Sequence, residues 1–222
     1  MKLWVVVAAH NEAGVIAETL AGLGAVECET VVVDDGSADR TAAVARAAGA
    51  RALRHSVNLG QGAALQTGIE YALSQGATHV CTFDADGQHS AAAIPKMLDA
   101  LQRERCDVAL ASRFLERTEM PAERRALLVA ARAFTRFQTK LELSDVHNGL
   151  RIFTRGAAEK IRIRQPRMAH ASEILSLIAR HRLSFVEVPV ATAYTPYSLA
   201  KGQTSMSSIR ILYDLFYASW TR

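Results

Sequence analysis

The chain has 222 residues, half of them hydrophobic, which is the composition of a globular domain with a sizeable core. Its formal net charge of +4 suits anionic substrates or an anionic membrane face, but it falls short of the strong basicity of many nucleic-acid-binding proteins. No segment approaches the roughly 20 apolar residues of a membrane-spanning helix, and the three cysteines lack C-x-x-C spacing. The sequence therefore predicts a soluble or peripheral protein of a reducing compartment, without a nucleic-acid partner.

Strands and helices alternate through the first half of the chain. Short apolar or β-branched runs predict strands at 3–8, 30–33, 51–55, 78–83 and 107–111. Helical spacing of apolar residues predicts helices at 12–23, 39–48, 60–74 and 91–102. Because strands alternate with helices at these lengths, we expect an α/β fold with βαβ units and a mostly parallel sheet.

The second half is less regular. Helices are predicted at 121–141, 168–180 and 204–220, and strands at 150–154 and 183–190. No linker, repeat or low-complexity segment interrupts the chain, so we predict a single domain over residues 1–222. Its regular front, at about 1–115, suits nucleotide binding, and its mixed back, at about 116–222, suits acceptor binding.

Two carboxylates, Asp84 and Asp86, stand at the end of the strand predicted at 78–83. Residues two apart on an extended backbone point to the same side, so we expect both carboxylates to converge on one point. Hard oxygen ligands without a thiolate favour Mg²⁺ or Mn²⁺ over zinc. Gly87 permits a sharp turn, and Gln88 offers a third oxygen. The alternative interpretation is a polar turn that begins the next helix.

Polar residues also follow the first two predicted strands, and ligands of open parallel sheets bind at such strand ends. The residues are His10, Asn11 and Glu12 after the first strand and Asp34 and Asp35 after the second. Asp35 could accept hydrogen bonds from a base or a ribose. Adjacent carboxylates at a buried strand end are costly unless they are paired, so we expect a partner for them.

The residues that open two of the predicted helices have simpler interpretations. Ser37 and Thr41 are interpreted as N-cap residues. Residues 58–62 (Asn-Leu-Gly-Gln-Gly) open the helix predicted at 60–74, where backbone N–H groups favour anions. This segment is no dinucleotide-binding fingerprint, because Leu65 stands where the third glycine is needed.

The motifs together resemble those of the family 2 glycosyltransferases of the GT-A fold, and among them the dolichyl- and polyprenyl-phosphate sugar transferases. The matching segments, in chain order, are AAHNEAGVI, VVVDDGSADRT, NLGQGAALQTGI, FDADGQH, ASRF, SDVHNGLRIFTR, SEILSLI, VEVPV and YSLAKGQ. The resemblance implies a Rossmann-like three-layer sandwich with a mostly parallel central sheet.

The resemblance also implies roles for individual residues. The nucleotide sugar would be bound by Ala9, Asn11, Glu12, Asp35, Ser37, Asn58, Gly60, Asp84, Ala85 and Lys201. Asp84, Asp86 and Gln88 correspond to the site of a Mg²⁺ or Mn²⁺ ion that bridges the diphosphate. Arg113 and Arg151 correspond to phosphate-binding positions. Together with Asp86 and Asp145, these two arginines form the expected catalytic set.

Asp145 lies in a segment that, in the family, stands beside the anomeric carbon of the donor. If the acceptor is a sugar hydroxyl, a general base is required, and Asp145 or Glu173 could serve. If the acceptor is a lipid monophosphate, its oxygen is already anionic, and Asp145 would orient the sugar or balance charge. His147 and His170 are expected to be structural, and His89 either contacts the acceptor phosphate or begins a helix.

Several features bear on a membrane-bound acceptor. Basic residues cluster at 160–167 and again among Arg124, Arg125, Arg132 and Arg136. The helix predicted at 204–220 has an apolar stripe that suits either the core or a membrane interface. The loop 194–203, with Gly202 as a hinge, resembles the family's lid over the phosphates. Because no spanning segment follows, we expect docking on the cytoplasmic face or a small integral-membrane partner.

The resemblance therefore implies an inverting, metal-dependent glycosyltransferase of cell envelope polysaccharide biosynthesis. The donor would be a GDP- or UDP-sugar, and the acceptor a dolichyl, undecaprenyl or other polyprenyl phosphate. The alternatives are transfer to a saccharide or another soluble hydroxyl, and a non-catalytic protein that binds a nucleotide sugar. A nucleotidyltransferase is less consistent with the sequence, because no glycine-rich loop follows the first strand.

Overall fold

A computed structural model describes residues 1–115, 122–146, 148–167 and 169–191 of the chain. Seven strands form one sheet: β1 (Leu3–Ala9), β2 (Glu29–Asp34), β3 (Arg51–Arg54), β4 (His79–Asp84), β5 (Val108–Ser112), β6 (Arg151–Thr154) and β7 (Phe185–Pro189). The helices are α1 (Ile16–Leu23), α2 (Thr41–Ala47), α3 (Gln61–Ser74), α4 (Ala93–Arg103), α5 (Ala122–Thr139), α6 (Arg155–Lys160) and α7 (His170–Arg180). No helix among the described residues is long and apolar enough to cross a bilayer.

The strand order is β3-β2-β1-β4-β6-β5-β7. β6 runs antiparallel to its neighbours β4 and β5, whereas the other pairs, β1–β2, β2–β3, β1–β4 and β5–β7, are parallel. The first residue of β6 therefore lies at the same edge of the sheet as the last residues of β4 and β5. The polar residues that leave the strands can meet along this edge, which we call the catalytic edge.

Successive side chains of a strand point to opposite faces of the sheet. Because the side chains on both faces are apolar, helices pack against each of them. Val5 and Val7 of β1 pack in one core cluster with residues of α1 and α4, whereas Trp4 and Val6 pack in a second cluster with residues of α3 and α7. The prediction of a three-layer α/β sandwich with a mostly parallel sheet is confirmed.

The predicted strands and helices lie within a few residues of the observed ones, with two differences. The helix predicted from residue 12 begins at Ile16, because the carbonyl of Glu12 accepts hydrogen bonds from the backbone N–H groups of Val15 and Ile16 in a preceding turn. The short helix α6 was not predicted; the Thr154 hydroxyl accepts a hydrogen bond from Ala157 N at its start. The helix predicted at 204–220 and the loop at 194–203 lie outside the described residues.

Candidate active site

The Asp84 carboxylate occupies the centre of the catalytic edge. Its Oδ1 atom accepts a hydrogen bond from Gln61 Nε2 at 3.0 Å, and its Oδ2 atom lies 3.4 Å from His89 Nε2. The backbone of Gly149 packs directly behind it, since a Cβ atom at residue 149 would lie 2.0 Å from Asp84 Oδ2. The Thr82 hydroxyl holds this segment by donating to the carbonyl of Gly149 at 2.7 Å. Asp84 is therefore fixed by the segment that leads into β6, by His89 and by α3.

Asp84 and Asp86 differ in their electrostatic surroundings. Burial raises the pKa of the Asp84 carboxyl, but the hydrogen bond and charge of His89, with the charge of Arg151, outweigh it and bring that pKa below its usual value. Burial, followed by the charge of Asp84, raises the pKa of the Asp86 carboxyl. Asp86 Oδ1 accepts a hydrogen bond from Gln88 N at 3.1 Å. A cation next to both carboxylates would relieve the repulsion that raises the pKa of Asp86.

The donor set at this point fits a Mg²⁺ or Mn²⁺ ion. Among the described residues, no group of three or more His, Cys, Asp or Glu side chains is arranged to hold a metal. Mg²⁺ sites in nucleotide-dependent enzymes commonly use one or two carboxylates and complete the shell with substrate phosphates and water. The pair Asp84 and Asp86, with the side-chain oxygen of Gln88 nearby in sequence, meets that requirement.

Arg113 and Asp145 form a buried, two-pronged ion pair. Arg113 Nε donates to Asp145 Oδ2 at 2.7 Å, and Nη2 donates to Oδ1 at 2.8 Å. The backbone N–H of Arg113 also donates to Oδ2, at 3.1 Å. The side chain of Arg113 is 5% exposed, and that of Asp145 is 0% exposed. Both oxygens of Asp145 are thus engaged by one guanidinium, the geometry in which such pairs are strongest.

The loop that carries Asp145 is held by Glu187 of β7. The Glu187 carboxylate accepts hydrogen bonds from Ser144 N at 2.9 and 3.0 Å, from the Ser144 hydroxyl at 2.8 Å and from Asp145 N at 3.3 Å. Ser144 Oγ also lies 2.6 Å from Ser112 Oγ at the end of β5. This carboxylate therefore fixes Asp145 through its backbone, without contacting the catalytic edge itself.

Four buried polar atoms at the catalytic edge have no hydrogen-bond partner among the described residues: Arg151 Nη1, Asn148 Nδ2, His89 Nδ1 and Asp34 Oδ2, the last of which lies 3.5 Å from Arg54 Nε. Burial lowers the pKa of the Arg151 guanidinium to about 10, although the charges of Asp84 and Asp145 oppose this shift, so Arg151 is cationic at neutral pH. A buried donor without a partner is costly in a folded protein. The unpartnered nitrogens of Arg151 and Asn148 are suited to receive an anionic oxygen of a ligand.

Asp35 at the end of β2 lies beneath the loop that leads into α3. Its Oδ1 atom accepts hydrogen bonds from His55 Nδ1 at 2.8 Å and from Leu59 N at 2.9 Å, and its Oδ2 atom accepts one from Gly60 N at 2.6 Å. Burial raises the pKa of Asp35, but these hydrogen bonds outweigh it and lower that pKa below its usual value. The expected partner of Asp35 is therefore supplied by the protein.

The anion-binding N–H groups expected at the start of α3 also have partners within the protein. Gly60 N contacts Asp35, and the N–H groups of Gly62 and Ala63 donate to the Pro166 carbonyl at 2.8 and 3.2 Å. The side chain of Gln61 at this helix end reaches Asp84. Asn58 is exposed beside this helix end.

The interpretation of Ser37 and Thr41 as N-caps is wrong. The N-cap residue of α2 is Arg40, whose side chain makes no capping hydrogen bond, and the N–H of Thr41 donates to Asp39 Oδ1 at 2.9 Å. Ser37 Oγ instead accepts a hydrogen bond from Asn11 N at 2.9 Å, and Thr41 Oγ1 accepts one from Glu12 N at 2.8 Å. The two hydroxyls therefore hold the segment that leaves β1 against the segment that leaves β2.

Ala9, Ala85 and Asn11, which the resemblance assigns to the donor site, make hydrogen bonds within the protein. Ala9 O accepts the backbone N–H of Asp35 at 2.8 Å, and Ala85 O accepts the hydroxyl of Thr19 at 2.9 Å. Asn11 adopts a positive φ of 55°, and its Oδ1 atom accepts the N–H of Ala38 at 2.9 Å. Lys201 and His147 lie outside the described residues.

His170 and Glu173 both belong to the start of α7. His170 is 4% exposed, its Nδ1 atom lies 2.8 Å from the Arg167 carbonyl, and burial lowers its pKa to about 4. Glu173 Oε2 accepts the N–H groups of Arg164 and Gln165 at 2.9 and 2.8 Å. Both side chains hold the chain that precedes α7, which agrees with the structural role expected of His170.

Three residues of the site were not recognised from the sequence: His55, Gln61 and Glu187. His55 directly follows β3, and Gln61 begins α3, at the catalytic edge. These positions at the end of a strand and the start of a helix are the signal that could have identified them. Glu187 gives no such signal, because it lies within a strand.

A further cavity among the described residues lies elsewhere. Its volume is about 460 Å³, and it is lined by Glu70, Leu73, Ser74, Arg155, Glu159 and Arg162. Two ion pairs, Arg155–Glu159 and Arg162–Glu70, neutralise its charged groups. Since Arg155 follows the last residue of the reversed strand β6, this cavity lies away from the catalytic edge and has no part in the site.

Comparison with known proteins places this geometry in a family. Residues 4–162 match the model of glycosyl transferase family 2. An uncharacterized protein of Methanocaldococcus jannaschii is 36% identical over 96% of this chain and 90% of its own. The UDP-N-acetylglucosamine–dolichyl-phosphate N-acetylglucosaminyltransferase of Methanococcus voltae is 28% identical over 96% of this chain and 94% of its own. The polyprenol monophosphomannose synthase of Mycolicibacterium smegmatis is 29% identical over 81% and 71%.

The fold has close counterparts among solved structures. Glucosyl-3-phosphoglycerate synthase from Mycobacterium tuberculosis, in complex with Mn²⁺, uridine diphosphate and glucosyl-3-phosphoglycerate, superposes with a TM-score of 0.73 at 19% identity, covering 96% of this chain and 79% of that one. The same enzyme in complex with Mg²⁺ and uridine diphosphate gives a TM-score of 0.72. The family match over residues 4–162, together with this fold, shows that the chain belongs to glycosyl transferase family 2 and is a glycosyltransferase of the GT-A fold.

Proposed function

We propose that the protein transfers a sugar from a nucleoside diphosphate sugar to a polyprenyl phosphate, such as a dolichyl or undecaprenyl phosphate, in cell envelope polysaccharide synthesis. The observation that carries this proposal is the two-pronged pairing of Asp145 with Arg113. A carboxylate held on both oxygens by a guanidinium is poorly placed to remove a proton from a hydroxyl acceptor. A phosphate monoester needs no such base, since its oxygen is anionic at neutral pH.

Among the residues that the structure describes, Arg151 Nη1 and Asn148 Nδ2 have no hydrogen-bond partner, so each could bind a phosphate of the acceptor or the diphosphate of the donor. Both are buried, and both are hydrogen-bond donors, so an anionic oxygen would satisfy them. The relatives in Methanococcus voltae and Mycolicibacterium smegmatis are named for dolichyl-phosphate and polyprenol acceptors. Glu173, the other base considered for a hydroxyl acceptor, already accepts two backbone N–H groups.

In the proposed reaction, an oxygen of the acceptor phosphate attacks the anomeric carbon from the side opposite the nucleoside diphosphate. The bond from that carbon to the diphosphate oxygen breaks, its electron pair leaves with the diphosphate, and the configuration inverts. Asp84, Asp86 and Gln88 would hold a Mg²⁺ or Mn²⁺ ion, which neutralises charge on the leaving diphosphate. Arg151 adds a fixed positive charge, and Asp145, paired with Arg113, balances charge at the site.

We propose that the front of the domain, at about 1–115, binds the donor and that the back, at about 116–222, binds the acceptor. In the donor-binding front, Asp35, Ser37 and the segments around Asn11 and Gly60 would surround the nucleoside. Lys201 and the predicted lid, which lie outside the described residues, would contact the phosphates.

We further propose that the exposed face of α5 docks on the anionic cytoplasmic face of the membrane. Phe137 is 85% exposed and Val129 is 45% exposed. The two lie eight residues apart and therefore on the same side of the helix. The exposed Arg132 and Lys140 flank them, and a cation near an anionic surface contributes ~1 kcal/mol. Apolar and basic residues on one helix face are typical of interfacial helices, and a small integral-membrane partner could strengthen the attachment.

Radiolabelled nucleotide sugars with uracil or guanine bases test this proposal. The full chain is incubated with each donor and Mg²⁺ or Mn²⁺, with and without vesicles that contain polyprenyl phosphate. We expect label to enter the organic phase only with the lipid, and chelation of the metal to stop the transfer. Label that enters only a soluble saccharide or phosphorylated acid would contradict the lipid acceptor. Donor binding without any turnover would favour a non-catalytic role.

A further inference from the structure

We infer that Glu187 is a positioning residue of the sugar-transfer reaction. Its carboxylate fixes the place of the ion pair between Arg113 and Asp145, and it acts through hydrogen bonds rather than through its charge. The inference rests on the proposed function, in which this pair balances charge at the site beside Arg151.

Glu187 reaches the ion pair from β7, the last strand of the described sheet. It lies opposite Leu110 of β5, which in turn lies opposite Arg151 of β6. Residues opposite one another on neighbouring strands point to the same face of the sheet, so Glu187 and Arg151 share a face, about 10 Å apart. Asp145 links the two. Its backbone N–H reaches Glu187 at 3.3 Å, and its charge opposes the lowering of the pKa of Arg151.

The hydrogen bonds that end on Glu187 have a fixed direction, because an ionised carboxylate can only accept. The Ser144 hydroxyl donates to Glu187 at 2.8 Å. Its oxygen must therefore accept from the Ser112 hydroxyl, 2.6 Å away. The Ser112 oxygen also accepts the backbone N–H of Phe114 at 3.3 Å. Since Ser112 and Phe114 flank Arg113, this chain of bonds connects the backbone around the arginine to Glu187.

The other half of the ion pair depends on the same carboxylate more directly. Glu187 accepts the backbone N–H groups of Ser144 and of Asp145 itself. Without these acceptors, Arg113 and Asp145 could remain bonded to each other while the pair as a whole moved relative to Arg151. A displacement of about 1 Å at a reacting centre can lower a rate about 100-fold.

The two oxygens of Glu187 carry unequal shares of these bonds. Oε1 accepts from Ser144 N, from the Ser144 hydroxyl and from Asp145 N, whereas Oε2 accepts only a 3.0 Å bond from Ser144 N. In Glu187→Gln, the amide oxygen can take the place of Oε1 and keep the three bonds. Glu187→Ala loses all of them. We therefore expect kcat to fall about 100-fold in Glu187→Ala and less than about 10-fold in Glu187→Gln.

Asp107→Ala is the matched control. Asp107 Oδ2 accepts the backbone N–H and the hydroxyl of Ser184 at 2.9 and 2.8 Å, which is the arrangement that Glu187 makes with Ser144. This second clamp joins the starts of β5 and β7, at the opposite edge of the sheet from the site. Asp107→Ala should lower the melting temperature, as Glu187→Ala does, but it should keep the wild-type kcat.

Initial rates with a labelled nucleotide sugar and polyprenyl phosphate vesicles, donor titrations and thermal melts of the full chain test the inference. We expect Glu187→Ala to lose kcat while the dissociation constant of the donor changes by less than about 3-fold. Ser144→Ala cuts only the hydroxyl link, so it should fold and lower kcat by about 10-fold. It tests the chain of bonds even if Glu187→Ala is unstable.

Three results would overturn the inference: wild-type kcat in Ser144→Ala, an equal loss of kcat in Asp107→Ala, or a Glu187→Gln variant as inactive as Glu187→Ala. The third result would assign the effect to charge. Transfer of label to a soluble acceptor, with the same dependence on Glu187, would support the positioning role while contradicting the proposed lipid acceptor. Lipid labelling that is insensitive to Glu187→Ala would refute the positioning role and leave the proposed function intact.

Discussion

Replacing Gly149 by alanine would disturb the proposed metal site without removing any of its ligands. A Cβ atom at residue 149 lies 2.0 Å from Oδ2 and 2.6 Å from Cγ of Asp84, whereas ordinary contacts begin at 3.4 Å. The carboxylate must therefore move by about 1.4 Å, the difference between 3.4 and 2.0 Å. Such a movement breaks the 3.0 Å hydrogen bond from Gln61 or the 3.4 Å contact with His89.

We expect Gly149→Ala to lower the rate of sugar transfer about 100-fold, because a misplacement of about 1 Å at a reacting centre can cost this much. The affinity for Mn²⁺ should fall as well. The melting temperature should change little, since the Asp84 side chain is 27% exposed and can move towards solvent. Initial rates with a labelled donor, a Mn²⁺ titration and a thermal melt measure the three quantities.

Gly156→Ala is the matched control. Gly156 lies in α6, and a Cβ atom there meets nothing within 4 Å. Alanine in a helix is more favourable than glycine by up to about 1 kcal/mol, so this variant should keep its activity and its stability. Wild-type activity and Mn²⁺ affinity in Gly149→Ala would refute the argument that Asp84 is held in place for a metal ion.

Three further predictions concern charge and exposure. Asp86→Asn should lower turnover more than 100-fold, yet raise the melting temperature of the metal-free protein at neutral pH. Folding raises the pKa of Asp86, so the protonated carboxyl favours the folded state. This stabilisation is present below the pKa of the unfolded state and is lost as the pH rises through the pKa of the folded state. At neutral pH the charged carboxylate therefore opposes folding, and asparagine removes that charge. Arg113→Ala should destabilise the fold by about 3–5 kcal/mol, because it removes the guanidinium from a buried ion pair; urea denaturation measures this. Phe137→Ser should weaken binding to anionic vesicles in sedimentation assays, whereas Val57→Ser, at another exposed apolar residue, should not.

Each of these predictions has an outcome that contradicts it. A lower melting temperature of Asp86→Asn in chelator would show that the charge of Asp86 does not oppose folding. An Arg113→Ala variant as stable as the wild type would mean that the ion pair with Asp145 does not stabilise the fold. Equal vesicle binding of the Phe137 and Val57 variants would remove α5 from the membrane-docking surface.

Most strands of this fold could be predicted because they are short, largely buried runs with a polar or glycine-rich end, whereas β3 and β7 are partly exposed. The run from Leu3 to Ala9, for example, is apolar throughout, and His10 and Asn11 end it. The start of α1 could not be predicted in this way, since the turn after Glu12 has the same composition as a helix. The six-residue helix α6 is too short to show an apolar periodicity.

The pairing of side chains in the site was harder to predict. Asp84 ends β4 and Asp86 lies in the turn that follows it, so their closeness in sequence, and not a shared strand, indicates that they lie together. Arg113 and Asp145 are 32 residues apart, and they meet only because the chain after β5 returns to the start of β6. A sequence shows where a strand ends, but it does not show which other strand ends beside it.

The reversed strand β6 also has a consequence for folding. The strands β3, β2, β1 and β4 pair with one another, so this half of the sheet can form as soon as β4 has been synthesised. The position beside β4 belongs to β6, and β5 pairs with the other side of β6. β5 therefore cannot join this half of the sheet until β6, which begins at residue 151, has been synthesised. Until then, the edge of β4 is open, and open edges are prone to intermolecular pairing. Substitutions that slow the insertion of β6 should therefore lower the yield of folded protein during synthesis even when the finished enzyme is fully active.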